Sequence, residues 1–500
     1  RVTSIGRFAF LGCNGLEEVH ISDLTAWCAI KFDYNPLYYA HNLYLNDALI
    51  TDLVIPDSVT SIGSSAFYNC NSLTSVTIPD SVTSIGSYAF EDCSSLTSIN
   101  VSENNANYAS QNGILYNKKK TQFIHIPRAI QGAVTIPDSV TSIRMGAFSG
   151  CSGLESITLP FVGGSVKSAT DTYQYPFGYI FGTSSYTGGM EVTQYYYGSS
   201  TITKTSDTYY IPSSLKEVTI TGGNIPYGAF YGCSGLASIT IGNGVTSIGD
   251  DAFDGCSSLT SVTIGNSVTS IGFAAFRDCA KLTQVNYNSA SVKDLSSSSY
   301  VFSNAGTNGD GIAVVFGDSV QTIPAYLFYN CDSLTNVTIG NGVTSIGDYA
   351  FEDCSKLTSV TIGNSVTSIG SSAFSGCSRL TSLSIGNGVT SIGFSAFSGC
   401  SSLYSLDIPD SVMSIGSNAF SGCNLMRIII PDSVTSIGSN AFSGCINLTR
   451  VTFKNPNGWQ CSKSPDATSW TSIPSSDLSD PSTAAKYLKS TYYNYYWKRS

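Results

Sequence analysis

The chain has 500 residues, a net charge of −10 and only 12% charged residues. This composition argues against nucleic acid as a partner, because phosphate binding needs concentrated Lys and Arg and the one basic cluster is Lys118–Lys120. No run of 18 apolar residues exists, so no segment is predicted to span a membrane.

A unit of about 23 residues recurs along the chain and is clearest between Cys331 and Cys445. One copy, residues 354–374, reads CSKLTSVTIGNSVTSIGSSAF. A unit this short cannot bury its own apolar face, so the copies must stack and share one core. The sequence therefore predicts a mainly β solenoid with parallel sheet over residues 1–453, rather than a series of globular domains.

Each unit, called a coil below, is predicted to contain two short strands and a tight corner. LTSVTI alternates, with Val360 and Ile362 inward, which is the period of a strand with one buried face. Gly363 and Asn364 make a turn, SVTSI runs back as a second strand, and SSAF forms a tight turn or one 3-10 turn that brings Phe374 inside. The side chains expected to point inward are Leu357, Val360, Ile362, Val366, Ile369, Ala373, Phe374 and Cys377.

Four irregular modules interrupt the repeat, at residues 14–58, 97–135, 161–213 and 283–322. Each is long enough for at least one further coil. After residue 453 the template stops, and residues 454–500 are predicted to cap the open end of the core, with a helix that begins at Pro481. Because Arg1 lies inside a repeat, the chain is expected to be a piece of a longer protein.

Thirteen of the fifteen cysteines follow a Phe by three residues, one in each coil. Stacked coils hold equivalent side chains about 4.8 Å apart and parallel, whereas a disulfide needs converging Cβ atoms about 3.8 Å apart. We therefore expect thirteen buried free thiols. Cys28 and Cys461 stand outside this series, and no redox state is predicted for them.

One position of the template bears on backbone conformation. Most coils have Gly after the Ile of the second strand, but Arg144, Pro226 and Pro324 occupy the same position elsewhere. Since proline fixes φ near about −65°, this position does not require left-handed backbone. Replacing Gly370 by Ala is therefore expected to cost little.

The sequence lacks the features of a catalytic site. Its three histidines, His20, His41 and His125, fall in different coils, and no HExxH, GxSxG, GxxxxGK or CxxC motif is present. His20 and His125 are expected to be solvated strand residues. We therefore predict a protein that is not an enzyme and has no cofactor or metal.

The outward strand positions of the regular coils carry Ser and Thr, as at Ser359 and Thr361. This repetitive surface lacks the Tyr, Trp and Arg side chains that dominate binding energy. Specific recognition is therefore expected from singular residues, and Asp407, Arg427 and Arg450 break the Ser and Thr rows near the C-terminal end.

The module at residues 161–213 offers a second group of candidates, because tyrosines among glycines and serines are typical of adaptable recognition loops. Two interpretations stay open. The rings either contact a partner, and are then partly exposed, or seal a discontinuity in the core, and are then buried. The candidates for partner contact are Tyr173, Tyr175, Tyr195, Tyr196 and Tyr197.

The pattern N-S-V-T-S-I-G-x-x-A-F-x-x-C-x-x-L-T-S-V-T-I resembles the repeat of BspA-like leucine-rich repeat proteins, a type also found in a Treponema surface protein. The resemblance extends through about Phe453. It implies a leucine-rich-repeat solenoid in a secreted or surface-attached bacterial protein that adheres to host matrix proteins, host cells or other bacteria. It carries over no catalytic or binding residue.

From these arguments we expect a monomer that binds a macromolecular partner. Two alternatives remain from other functional classes. In the first, the solenoid is a structural spacer that displays other domains of a longer surface protein. In the second, its hydroxyl-rich rows order water and bind ice.

Overall fold

The computed structural model of the protein describes residues 2–165, 175–197, 204–290, 292–293 and 295–499. The chain forms two compact units, Arg1–Gly223 and Asn224–Ser500. Strands predominate in each unit, and the helices are few and short. Within the described ranges, no helix has the length and apolar character needed to cross a bilayer.

The first unit has short strands and two short helices, α1 (Leu24–Cys28) and α2 (Leu37–Ala40), with a turn of 3-10 helix at Phe177–Ile180. Its strands are β1 (Ser4–Ile5), β2 (Val19–Ile21), β3 (Lys31–Phe32), β4 (Leu43–Leu45), β5 (Ala48–Leu49), β6 (Asp52–Val54), β7 (Ser61–Ile62), β8 (Ser75–Ile78), β9 (Ser84–Ile85), β10 (Ser98–Val101), β11 (Tyr108–Gln111), β12 (Ile114–Asn117), β13 (Phe123–His125), β14 (Gln131–Thr135), β15 (Gly153–Leu159), β16 (Gly189–Tyr197), β17 (Lys204–Pro212) and β18 (Glu217–Ile225), of which the last ends two residues beyond the boundary.

Parallel pairing joins β6, β8 and β10 in this unit, and likewise β14, β15 and β18. The module at residues 97–135 adds an antiparallel sheet of β11, β12 and β13. The strands β12 and β13 form a hairpin with Lys118–Lys120 in its turn.

The second unit carries the most regular coils. Its strands are β19 (Ser238–Ile248), β20 (Ser261–Ile264), β21 (Ser270–Ile271), β22 (Gln284–Tyr287), β23 (Ile312–Phe316), β24 (Thr322–Ile323), β25 (Leu334–Ile339), β26 (Ser345–Ile346), β27 (Ser359–Ile362), β28 (Ser368–Ile369), β29 (Ser382–Ile385), β30 (Ser391–Ile392), β31 (Ser414–Ile415), β32 (Arg427–Ile430), β33 (Ser436–Ile437), β34 (Arg450–Phe453), β35 (Trp459–Ser462), β36 (Thr471–Ser472) and β37 (Tyr496–Arg499). Two helices, α3 (Ser475–Ser479) and α4 (Pro481–Lys486), precede a π-helical turn at Tyr487–Thr491.

Two parallel stacks of strands form in this unit, as the two-strand template predicts. First strands pair in the order β19-β20-β22-β23-β25-β27-β29, and second strands pair in the order β24-β26-β28-β30-β31-β33. The register advances by one coil at each step, so that Ser359 lies opposite Ser382 and Ser368 opposite Ser391.

The core consists of the side chains that the template places inward. In the coil of residues 357–377, the eight predicted side chains are each at most 2% exposed. Phe374 lies between the equivalent rings of the neighbouring coils, with centroids 5.0 Å from Phe351 and 5.4 Å from Phe397. Burying such a ring contributes about 1.5–3 kcal/mol, so the stack of rings is a main source of cohesion between coils.

Each corner is a tight turn held by hydrogen bonds to the next coil. The N–H groups of Ser372, Phe374 and Gly376 all donate to carbonyls of the following coil at 2.7–2.8 Å. The flanking residues of this turn have left-handed backbone, with φ 50° at Ser372 and 72° at Gly376. In all thirteen Phe-x-x-Cys corners the residue before Cys is Gly, Asn or Asp with positive φ, the types that tolerate this region best.

The expectation that Gly370→Ala would cost little is wrong. The prediction that the backbone is not left-handed at Gly370 is confirmed. However, an added Cβ would lie 2.7 Å from the backbone nitrogen of Asp348 in the preceding coil. The close approach of stacked coils therefore requires glycine. Arg144, Pro226 and Pro324 each lie in the first regular coil after an irregular module.

All fifteen cysteines are free, and twelve of the thirteen in the repeat series are buried as predicted. Cys28 and Cys461 are also buried. Cys13 is exposed, contrary to the prediction. Its coil is covered incompletely, because β1 pairs with β3 alone and the neighbouring Phe8 is 69% exposed.

The expectation that His125 is solvated is also wrong. Its side chain is only 11% exposed and lies beside Phe90, with ring centroids 6.2 Å apart. This burial lowers the pKa of His125 to about 4. His20 is exposed as predicted, and hydrogen bonds to Glu18 and Asp47 raise its pKa.

Residues 454–499 pack against the last coils of the second unit. The helix α4 begins at Pro481 as predicted, and Asp480 caps it by accepting a hydrogen bond from the N–H of Thr483 at 2.7 Å. The strand β37 pairs antiparallel with β33, and Trp459 and Trp497 are 1% and 2% exposed. That this segment caps the core stays a prediction.

Candidate functional site

The stack of first strands in the second unit is interrupted between β29 and residues 404–408. β29 ends its sheet, and residues 404–408 form no strand. On the other face of the same two coils, β30 and β31 pair in register, and the corner bond from the N–H of Phe397 to the carbonyl of Ala419 is intact at 2.8 Å. The two coils therefore part on one face only and leave a cleft.

The sequence departs from the template at the position of the opening. In the preceding coil, Thr381 donates to the carbonyl of Thr358 through both its N–H at 3.0 Å and its Oγ1 at 3.2 Å. Tyr404 occupies the same position in the next coil, where it is 53% exposed and makes neither bond to Thr381 within the described structure. A phenol oxygen lies too far from its own backbone to replace the threonine hydroxyl.

The size of the inward side chains changes at the same place. Both flanking coils carry Leu, at 383 and 406, where the preceding regular coil carries Val360. Leu383 is only partly buried, and Leu406 is 5% exposed, against 1% for Val360. The longer side chains and the missing threonine bonds coincide with the open face.

The cleft has a volume of about 790 Å³ and brings Asp407, Arg427 and Arg450 together at its rim. Its lining is predominantly polar, and the apolar side chains within it include Leu406 and Ile385, which is 8% exposed. A volume of this size is typical of sites that bind ligands, which range over about 300–1,000 Å³.

Charge is unevenly distributed around the rim. Arg427 and Arg450 lie opposite each other in register on β32 and β34, and both are exposed. Neither guanidinium has an ion-pair partner among the described residues. With two arginines against the single carboxylate of Asp407, this rim favours an anionic group, which arginine binds through paired hydrogen bonds.

Sequence reasoning selected these three residues because they break the Ser and Thr rows, but it missed the cleft between them. The signal was present in the template. Tyr404 replaces the threonine that follows the core Leu in most coils.

The tyrosine candidates form a separate group in the first unit, and Tyr173 lies outside the described residues. The strands β16 and β17 make an antiparallel hairpin in which Tyr195 is 37% exposed and Tyr209 only 2% exposed. The hydroxyl of Tyr196 donates to Asp207 at 2.6 Å. In this hairpin, Tyr209 is buried, as expected for a ring that seals the core. Tyr195 is exposed, as expected for a ring that contacts a partner.

Two other candidates complete this group. Tyr197 is partly buried near the end of β16. The ring of Tyr175 packs against that of Tyr179 in a tilted arrangement, with ring centroids 4.2 Å apart. None of these rings lines the cleft at Asp407.

The buried thiols have a structural rather than a chemical role. Burial raises the pKa of Cys377 to about 12. Since the thiolate is the nucleophilic form, a thiol with such a pKa is unreactive at neutral pH. Within the described ranges, no three His, Cys, Asp or Glu side chains are grouped so that they could hold a metal ion.

A family model described as BspA type leucine rich repeat region matches residues 40–133, 130–170, 223–308, 298–412 and 367–460. The protein is thus a leucine-rich repeat protein. More specifically, the chain belongs to the BspA type family.

Among solved structures, the chain is similar to a leucine-rich repeat protein from Bacteroides ovatus, with 24% identity, 81% of this chain and 88% of that chain covered, and a TM-score of 0.35. A leucine rich cell surface protein from Faecalibacterium prausnitzii has 28% identity, with 81% and 88% covered and a TM-score of 0.29. The T. pallidum leucine rich repeat protein has 29% identity, with 39% and 72% covered and a TM-score of 0.25. A search of curated proteins found no match.

Proposed function

We propose that this protein is a non-enzymatic binding scaffold, secreted or held at a bacterial cell surface, that adheres to host or bacterial macromolecules. The observation that carries the proposal is the cleft lined by Asp407, Arg427 and Arg450, where the stack of first strands is interrupted between β29 and β32. Family membership supports a repeat scaffold, and the relative from F. prausnitzii is described as a cell surface protein.

The physical character of the cleft fits recognition of a macromolecule. Arginine is among the residues that contribute most to binding energy at protein interfaces. Leu383 lines the cleft and is partly exposed. A partner that covers it makes the binding free energy more favourable by roughly 25 cal/mol per Å² of apolar surface buried. The regular Ser and Thr rows offer neither feature.

Binding of the whole chain to immobilised extracellular-matrix proteins and to intact bacterial cells tests this proposal. Replacing Arg427 and Arg450 together by Ser is expected to weaken binding at least 10-fold. The matched control replaces Lys356 and Arg379 by Ser, which removes the same charge from exposed positions outside the cleft. Equal binding by the two double variants would contradict the assignment of the cleft.

The spacer function is the second candidate, and the threonine bonds between coils favour it. Thr367 Oγ1 donates to the carbonyl of Thr344 at 3.1 Å, and Thr390 Oγ1 to that of Thr367 at 3.1 Å. These hydroxyls serve cohesion between coils rather than a partner. A spacer would bind none of the matrix proteins or cells in the experiment above.

A further inference from the structure

A row of aromatic side chains crosses four consecutive corners of the second unit. We call it the corner aromatic patch, and its members are Phe273, Tyr300, Tyr326, Tyr329 and Tyr349. The rings of Tyr326 and Tyr349 are stacked, with centroids 4.7 Å apart, and Tyr300 meets Phe273 edge to face at 6.2 Å. Phe273 and Tyr300 are 41% and 42% exposed, and the other three rings are half-buried. The patch therefore presents ring surface from neighbouring coils to solvent.

Three of these tyrosines occupy a backbone position that disfavours them. Tyr300, Tyr326 and Tyr349 each lie two residues before the corner Phe and have φ of 44°, 59° and 59°. Left-handed backbone is uncommon for bulky residues, and strained positions cluster at sites of function. The following two coils have Ser372 and Ser395 at the same position, so the corner itself does not require a ring. This choice of residue indicates that the rings serve binding.

The charge beside the tyrosines is negative. Burial raises the pKa of Tyr326, and the carboxylates of Glu352 and Asp348 act in the same direction. Burial also raises the pKa of Tyr329, with Glu352 and Asp353 adding to the effect. Among the described residues, none of these three carboxylates has an ion-pair partner. The tyrosines thus lie beside carboxylates that no cation neutralises.

The first coil of the row shows how a cation fits this surface. The guanidinium of Arg277 lies over the ring of Phe273, 5.7 Å from its centroid, and pairs with the carboxylate of Asp254. Arg277 directly follows its corner Phe, and Tyr329 and Glu352 occupy the same position in later coils. Rings and carboxylates are therefore present further along the row, but these coils supply no cation of their own at that position.

From this arrangement we infer that the corner aromatic patch binds the guanidinium groups of an arginine-containing segment of a partner protein. A guanidinium can stack on an aromatic face and pair with a carboxylate at the same time. The net charge of −10 also favours approach of a basic segment. No residue of the patch lines the cleft at Asp407, so this is a second binding surface, beyond the proposed function.

Isothermal titration of the full chain at about 0.15 M salt tests the inference with two acetylated, amidated peptides. One is Arg-Gly-Arg-Gly-Arg, and the other has citrulline, which is neutral and of nearly the same shape, in place of each arginine. The arginine peptide is expected to bind at least 10-fold more tightly than the citrulline peptide. Equal affinities, or no saturable binding of the arginine peptide, would overturn the inference.

Removing the rings provides the second arm. Tyr326→Ser combined with Tyr349→Ser installs the residue that the next coil carries at Ser372, and should lower affinity for the arginine peptide at least 5-fold. The control is Tyr88→Ser, which removes a ring that is 64% exposed from the same corner position in the first unit. Thermal unfolding verifies that both variants are folded. Unchanged affinity in the double variant would show that the rings do not bind the peptide.

Removing the carboxylates provides the third arm and leaves the rings in place. Glu352→Ser combined with Asp353→Asn should also lower affinity at least 5-fold. Asp57→Asn combined with Asp80→Asn removes the same charge from exposed turns of the first unit and should leave affinity unchanged. Equal losses in the two double variants would assign the binding to net charge and overturn the inference. All these variants keep Arg427 and Arg450, so the outcome is separate from that of the adhesion experiment.

Discussion

The thiol of Cys377 donates a hydrogen bond to the backbone carbonyl oxygen of Phe351 in the preceding coil, at 3.3 Å. The same bond links Cys400 to Phe374 at 3.3 Å and Cys354 to Phe328 at 3.2 Å. Cysteine thus acts at this position as a small buried residue with one weak donor. The thiols connect neighbouring coils without forming disulfides.

Thiol titration of the native protein is therefore expected to detect one reactive cysteine, Cys13, the single exposed thiol of the fifteen. The others are buried, and burial raises the pKa of several of them, as for Cys377. Unfolding in denaturant without reductant should expose all fifteen thiols. Thiols that stay blocked until a reductant is added would show that disulfides exist.

Gly370→Ala is expected to destabilise the protein by about 1–3 kcal/mol, because the added Cβ overpacks against backbone of the preceding coil. Gly363→Ala is the matched control. A Cβ there meets nothing within 4 Å, and its backbone is not left-handed, so its effect should stay within about 0.5 kcal/mol. Urea unfolding of both variants measures the difference. Similar losses at the two positions would mean that contact between coils is not what requires glycine.

Phe374→Ala should cost about 3–5 kcal/mol, since it removes a fully buried ring from the stack of aromatic side chains. Ser359→Ala, on the exposed side of the first strand, should change the free energy of unfolding by less than about 0.5 kcal/mol. Chemical denaturation followed by circular dichroism distinguishes them. Comparable losses would show that the inner and outer faces are assigned incorrectly.

Acid is expected to destabilise the protein through His125. Burial lowers the pKa of His125 to about 4, and the charges of Arg144 and Arg128 act in the same direction, whereas Asp92 opposes them. Between the unfolded pKa of about 6.5 and the folded value, the unfolded state binds more protons, so stability falls as pH falls. The full effect is about 3 kcal/mol.

His125→Gln should remove this part of the pH dependence. The measurement is the free energy of unfolding at intervals between pH 7 and 4 for the wild type and the variant. His20→Gln serves as the control, since His20 is exposed and its pKa is shifted upwards, in the opposite direction to that of His125. Parallel pH profiles for the wild type and His125→Gln would contradict the assignment.

Replacing Tyr195, Tyr196 and Tyr197 together by Ser should abolish any partner binding through this hairpin without lowering the melting temperature. Tyr195 is 37% exposed, so its ring can contact a partner. Tyr209→Ser is the contrasting variant, because Tyr209 is 2% exposed and its loss should lower the melting temperature. If the triple variant unfolds while residual binding is unchanged, these tyrosines belong to the core.

The sequence by itself determined the two strands of each coil and the side chains that point into the core. Two short strands, the inward set from Leu357 to Cys377 and the buried free thiols could all be predicted, because each follows from a local period repeated every coil. The left-handed backbone of the corners was found only in the structure, although its sequence signal, Gly, Asn or Asp before every repeat Cys, is present in each coil.

Only the tertiary structure decided what one coil presents to the next. The lack of space at Gly370 depends on the backbone of Asp348, which lies in the preceding coil. The burial of His125 depends on Phe90, a residue outside its own hairpin. The cleft coincides with the absence of bonds between Tyr404 and Thr381. A repeat template records each coil separately, whereas closure, burial and pairing are properties of two neighbouring coils in contact. The distances between neighbouring coils are set by the stacked backbone.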